Sequence, residues 1–174
     1  MHLIVVDMQE KLLPHVVDKD SVLLNTFKLA KAFRILGLPV TATQQVKLGE
    51  TVRPLRDLVD LAGEKTSFSC MGCEDFVKKV MGGKRVVLTG IETHICVMQT
   101  ALDMLKYGFE VYVAVDGTSS RKEIDRNVAI QRMSQEGVKL TTAEAVIYDL
   151  LRDSKHEKFR EILEVVKMDR IPDS

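Results

Sequence analysis

Three side chains able to act as acid, base or nucleophile stand out by their positions: Asp7, Lys65 and Cys96. Asp7 closes the apolar run LIVVD (3–7) and is followed by Met8 and Gln9. A carboxylate at the end of a buried strand can be a base or a metal ligand, or it can cap the next segment. Cys96 lies in GIETHICVMQT (90–100), six residues past Gly90, near the start of a helical pattern that reaches 107. At a helix start the dipole and the free N–H groups favour thiolate, the nucleophilic form. The same thiol can simply pack, because free cysteine is among the most buried residue types. Lys65, in GEKTSFSC (63–70), is by type a solvated surface lysine. His94 is only two residues from Cys96, so on a helix the two do not share a face and His94 is a poor base for that thiol.

Cys70 and Cys73 form a C-x-x-C before a helical pattern at 74–82, the arrangement of a thiol–disulfide oxidoreductase. Thioredoxin-like folds need a mixed sheet, whereas this chain reads as parallel. A zinc site would need two more ligands, and no second C-x-x-C or paired histidine follows. The phosphate loop G-x-x-x-x-G-K-[ST], the dinucleotide fingerprint G-x-G-x-x-G and the serine-hydrolase G-x-S-x-G are all missing from the sequence.

The elements that must position these residues are short apolar runs alternating with helical patterns. Strands are expected at 3–7, 39–43, 85–90, 110–115 and 138–142, as continuous β-branched runs suited to burial on both faces. Helices are expected at roughly 21–37, 74–82, 94–107, 123–136, 143–152 and 155–167, with Gly37, Gly108 and Gly137 where helices should stop. The rhythm predicts a mostly parallel sheet with helices on both faces. It runs through residues 1–174 as one domain, with the longest irregular region at about 44–73. Ligands of such sheets bind beyond the carboxyl ends of the strands, which selects Asp7, Gln44 and the 90–96 loop.

Composition narrows the function classes. The chain of 174 residues is 45% hydrophobic and 29% charged, with a formal net charge of zero. Neutrality without a Lys/Arg block speaks against nucleic acid as a partner, and scarce aromatics speak against base stacking. No apolar run approaches the ~20 residues of a membrane span, and no basic segment precedes the first strand. Three cysteines, an odd number, fit a reducing compartment, so a cytoplasmic location is expected.

Taken together, Asp7, Lys65 and Cys96, with LIVVDMQ (3–9), EKTSFS (64–69) and VVLTGIETHICVMQTALDML (86–105), resemble the isochorismatase-like cysteine hydrolase superfamily. DGTSSR (116–121) and TTAEAVIYDLL (141–151) look similar as well. QQVKLGETV (44–52) resembles the compact branch of YcaC-like and isochorismatase domain-containing proteins. The resemblance implies a three-layer α/β/α sandwich with a Rossmann-like sheet of about six strands. It implies Cys96 as nucleophile, Asp7 as base, and Lys65 holding Asp7 ionised while lowering the thiol pKa. It further implies a cis bond between Ile91 and Glu92, with the backbone N–H groups of Glu92 and Cys96 forming an oxyanion hole. The nicotinamidase branch carries an Asp-x-His metal site where this chain reads TATQQVK (41–47). Gln44 and Gln45 are poor ligands, so no metal and no cofactor are expected.

The function expected from the resemblance is cofactor-independent hydrolysis of a small amide or related acyl compound by a homo-oligomer. Gln9, Leu12, Leu13, Gln44, Phe68 and Thr93 are candidate pocket residues. Glu92 either turns its side chain away or selects by charge, against anionic substrates or for cationic ones. Two alternatives stay open at this point: an assembly protein of the same fold without efficient turnover, and the Cys70/Cys73 oxidoreductase.

Overall fold

The run HLIVV has no polar face to offer water, and it forms the central strand β1 (His2–Val6), buried along its whole length. In the computed structural model, which describes residues 1–172, five more strands join it. They are β2 (Val40–Gln45), β3 (Asp60–Lys65), β4 (Arg85–Ile91), β5 (Glu110–Ser119) and β6 (Lys139–Thr141). Their order is β3-β2-β1-β4-β5-β6 and every pairing is parallel. Ile4 of β1 sits between Thr41 of β2 and Leu88 of β4. The strand order therefore reverses between β1 and β4, and a crevice opens beyond their carboxyl ends.

The helices are α1 (Lys19–Ile35), α2 (Arg53–Arg56), α3 (Glu74–Val80), α4 (Met98–Lys106), α5 (Glu123–Gln135), α6 (Ala143–Leu151) and α7 (Phe159–Val166). Strand alternation splits the core into two. Leu3 and Val5 pack with Leu29 and Phe33 of α1, Ile147 of α6 and Ile162 of α7. Ile4 and Val6 point the other way, onto Phe76 of α3, Met104 of α4 and Met133 of α5. Each such side chain contributes about 1.5–3 kcal/mol on burial, so β1, with its neighbouring strands, holds a helical layer to each face of the sheet.

Four expectations need correction. The stretch 60–65 is a strand, although it lies inside what reads as an irregular region. As an edge strand paired, among the described residues, only with β2, it has one side in water, so DLAGEK carries no apolar run. The helix expected at 155–167 begins only at Phe159, and β5 runs on to Ser119, past the expected end at 115. The helical pattern at 94–107 is two pieces, described below. Among the described residues no helix is long and apolar enough to cross a membrane.

Candidate active site

Each of the three residues picked out by type is delivered by the end of a strand. Asp7 follows β1 directly and adopts the left-handed conformation, with φ of +47°. Asp tolerates that region better than most residues do, and such outliers concentrate at functional sites. Beside it, Gly90 of β4 lies so close to β1 that a Cβ would stand 2.0 Å from the Val6 carbonyl oxygen, and its φ is +116°. Only glycine fits there. The Ile91–Glu92 peptide bond is cis. The chain then coils through a π-helical turn, Thr93–Val97, before α4 begins. The N–H groups of Ile95 and Val97 both close on the Glu92 carbonyl, at 3.1 and 3.2 Å. Cys96 is in this wide turn rather than in a regular α-helix, a distortion found often at functional sites.

Lys65 is the last residue of β3 and is no surface lysine. Its side chain is 1% exposed and that of Asp7 is 0% exposed, with 2.7 Å between Nζ and Oδ2. The ammonium also donates to Gln45 Oε1 at 2.7 Å, to the Phe68 carbonyl at 3.0 Å and to the Ser67 carbonyl at 3.2 Å. The other Asp7 oxygen accepts from the Thr43 hydroxyl at 2.9 Å. Desolvating an ammonium and a carboxylate is expensive unless both are paired and hydrogen-bonded, and here both are. Burial is the largest single influence and works against the Lys65 charge, but the Asp7 carboxylate, Cys70 and Cys96 together raise the lysine pKa.

Cys96 is 6% exposed and both charges of the pair act on its sulfur. Burial comes first and the Asp7 carboxylate second, and together they push the thiol above its usual range. Lys65 pulls it down by less. The expectation that Lys65 lowers the thiol pKa therefore holds only for its own contribution; the net shift is upward. The resting group is a protonated thiol beside a carboxylate, whatever the position near a helix start would favour.

The other candidate residues divide. Phe68 gives its carbonyl to Lys65 and is otherwise an exposed residue, 53% open to solvent. Thr93 is fully buried, and among the described residues its hydroxyl has no hydrogen-bond partner. Gln9 is occupied elsewhere: its amide bonds the backbone of Gln45 and Gly49 and straps the 45–51 loop to β1. Leu12 and Leu13 join the α1-side core, whereas Cys96 belongs to the α4-side core. Gln44 bonds Thr51 at 3.0 Å and faces a separate cleft with Glu50, Arg56 and Leu61. The Glu92 side chain turns away to Arg121, whose Nε donates at 2.8 Å, so its carboxylate is matched by a cation. Among the described residues no three His, Cys, Asp or Glu side chains gather as a metal-binding group.

Thr43 and Gln45 were not among the expected site residues, yet both touch the ion pair. Strand alternation is the signal that finds them: once Gln44 is taken to face one side of β2, its two neighbours must face the other. Cys70 also sits here, fully buried, with its sulfur 3.3 Å from Thr43 Oγ1. Burial, then the Asp7 charge, pushes its thiol up to about 11.

The comparisons with known proteins bear on the family and the fold. The isochorismatase domain profile matches residues 1–145. Isochorismatase domain-containing protein 1 of Danio rerio is 38% identical over 171 residues, which is 93% of this chain and 59% of that protein. The chain thus spans about three fifths of that relative's length. Among solved structures, the MAR1 ribonuclease of Caenorhabditis elegans has a TM-score of 0.88 at 38% identity, covering 99% of this chain and 91% of that one. The YcaC gene product of Escherichia coli, described as an octameric hydrolase of unknown specificity, has a TM-score of 0.83 at 27% identity, covering 95% and 92%. With a matching domain profile over most of its length and the same α/β fold in solved relatives, this chain belongs to the isochorismatase family, in its YcaC-like branch.

Proposed function

We propose that the protein is a cofactor-independent cysteine hydrolase of a small amide or related acyl compound, with Asp7, Lys65 and Cys96 as its catalytic residues. The observation that carries this reading is the buried Asp7–Lys65 pair acting on the Cys96 thiol at the switch point of the sheet. A structural ion pair at that place would be a poor stabiliser, because an apolar pair of similar volume often does as well or better.

The chemistry follows from the protonated thiol. Asp7 takes the Cys96 proton as sulfur attacks the substrate carbonyl, so thiolate forms only where it is used. The oxygen becomes an oxyanion, held by the backbone N–H groups of Glu92 and Cys96, a contribution of about 3 kcal/mol per donor. Protonated Asp7 passes its proton to the leaving nitrogen as the C–N bond breaks, leaving a thioester and free ammonia or amine. Water then attacks the thioester, Asp7 takes one proton from it, and expulsion of sulfur releases the acid. That proton returns to the thiolate and restores the starting state. Lys65 keeps its proton throughout and balances the carboxylate.

Glu92 is paired with Arg121, which works against a role in repelling anions. Cys70 is committed to Thr43 and holds its proton tightly, which works against the redox reading of Cys70 and Cys73. The octameric YcaC neighbour supports a homo-oligomer. The test is ammonia release from a panel of small primary amides, with Cys96→Ala as the blank and RNA cleavage measured alongside. Turnover of an amide that vanishes in Cys96→Ala supports the proposal. Cleavage of RNA alone, unchanged in Cys96→Ala, overturns it.

A further inference from the structure

Cys70 is a buried nucleophilic group that the proposed reaction does not use, and its thiol meets the site at the Thr43 hydroxyl. Thr43 Oγ1 lies 2.9 Å from Asp7 Oδ1 and 3.3 Å from Cys70 Sγ. The direction of this chain is fixed by chemistry. A carboxylate has no proton to give, so Thr43 donates to Asp7. A hydroxyl has one proton, so Cys70 must donate to Thr43. The far end is anchored too, because the Cys70 N–H donates to Thr100 Oγ1 of α4 at 2.9 Å, on the helix that follows Cys96.

We propose that Thr43, oriented by the Cys70 thiol, is the positioning residue for the carboxylate that receives the Cys96 proton. The inference rests on the proposed role of Asp7 as base and adds to it two residues on other elements. Lys65 binds Oδ2 and Thr43 binds Oδ1, so the plane of the carboxylate is set by two donors. The groups that face it are Lys65 from β3, Thr43 from β2, Cys70 from the turn before α3 and Cys96 from the π-helical turn. With its plane fixed, the carboxylate has one orientation from which to take the Cys96 proton. Without Thr43 it is free to rotate about its own bond while keeping the Lys65 contact. The protonated state of Cys70 is the state this role requires, and burial favours it.

The test uses Cys96 alkylation by iodoacetamide, mapped by peptide mass spectrometry from pH 6 to 11, because it needs no substrate. At neutral pH the buried thiol depends on Asp7 to accept its proton; at high pH it ionises to solvent. Thr43→Val should slow labelling of Cys96 near pH 7 by about tenfold, the worth of one hydrogen bond to a charged group, and leave the alkaline rate unchanged. Thr43→Ser should restore the neutral rate, as should Cys70→Ser; Cys70→Ala should follow Thr43→Val. A merely structural role would instead expose the thiol and speed labelling at every pH. That result, or a Thr43→Val profile matching the starting protein, overturns the positioning role. If the unsubstituted protein labels all three cysteines alike, the reading of Cys96 as nucleophile fails first, and the positioning role falls with it.

Discussion

Replacing Lys65 by Met removes the charge and keeps most of the volume, so it isolates what the ammonium does. In the folded protein that ammonium is 2.7 Å from Asp7, and both side chains are essentially without solvent. Deleting it leaves a buried carboxylate whose remaining described partner is the Thr43 hydroxyl. Breaking a buried pair from one side costs about 3–5 kcal/mol. For a domain of this size, that is a fall of roughly 6–20 °C in Tm. The Asp7→Asn/Lys65→Met double variant removes the orphaned charge and should recover at least about 2 kcal/mol of the loss as coupling. Urea denaturation at one fixed protein concentration measures both, since oligomerisation would otherwise shift the midpoint. Lys78→Met is the control: its pairing to Asp75 at 3.2 Å is solvent-exposed on both sides. If Lys65→Met unfolds at the same urea concentration as Lys78→Met, the ammonium is not buried against Asp7 and the reasoning fails.

Other perturbations test other parts of the structure. Gly90→Ala places a methyl group 2.0 Å from the Val6 carbonyl oxygen at a positive φ, and should cost more than about 3 kcal/mol or yield insoluble protein; a normal thermal melt would contradict the packing of β4 on β1. His2, buried and bonded to Thr41, has its pKa pushed down to about 4 chiefly by burial. Its folded pKa lies below the unfolded 6.5, so stability should be full above pH 6.5 and fall toward pH 4, by on the order of 2–3 kcal/mol; His2→Gln should flatten that slope in acid denaturation. Arg121→Ala leaves the buried Glu92 carboxylate without its guanidinium and should lower stability by about 1–3 kcal/mol, read by calorimetry, with Glu92→Gln/Arg121→Ala recovering most of it.

Apolar runs expose central strands, because a strand covered on both faces has no choice of residue type. Residues 3–7 and 85–90 therefore announce β1 and β4, and with them the positions of Asp7 and Cys96. An edge strand escapes that rule. DLAGEK is half in water, and reading it as irregular leaves Lys65 on the surface, two strands away from the residue it pairs with. The resemblance to a known family brings Lys65 to Asp7; local pattern alone does not. Gln44 shows the opposite failure, where a strand-end position is right but the face is wrong, and alternation assigns the site to Thr43 and Gln45. The protonation state of Cys96 depends on burial and on a carboxylate 89 positions earlier in the chain, so nothing next to it in the sequence reveals it.

The account stands most directly on a covalent acyl group at Cys96. An amide that the protein hydrolyses should be mixed with it, quenched in acid within the first turnovers and followed by peptide mass spectrometry. The predicted result is a thioester of the substrate's acyl mass on the peptide holding Cys96, lost with time as water is consumed and never formed in Asp7→Asn. Hydrolysis that proceeds at full rate in Cys96→Ala, or an acyl group carried by Cys70 or Cys73 instead, would contradict it.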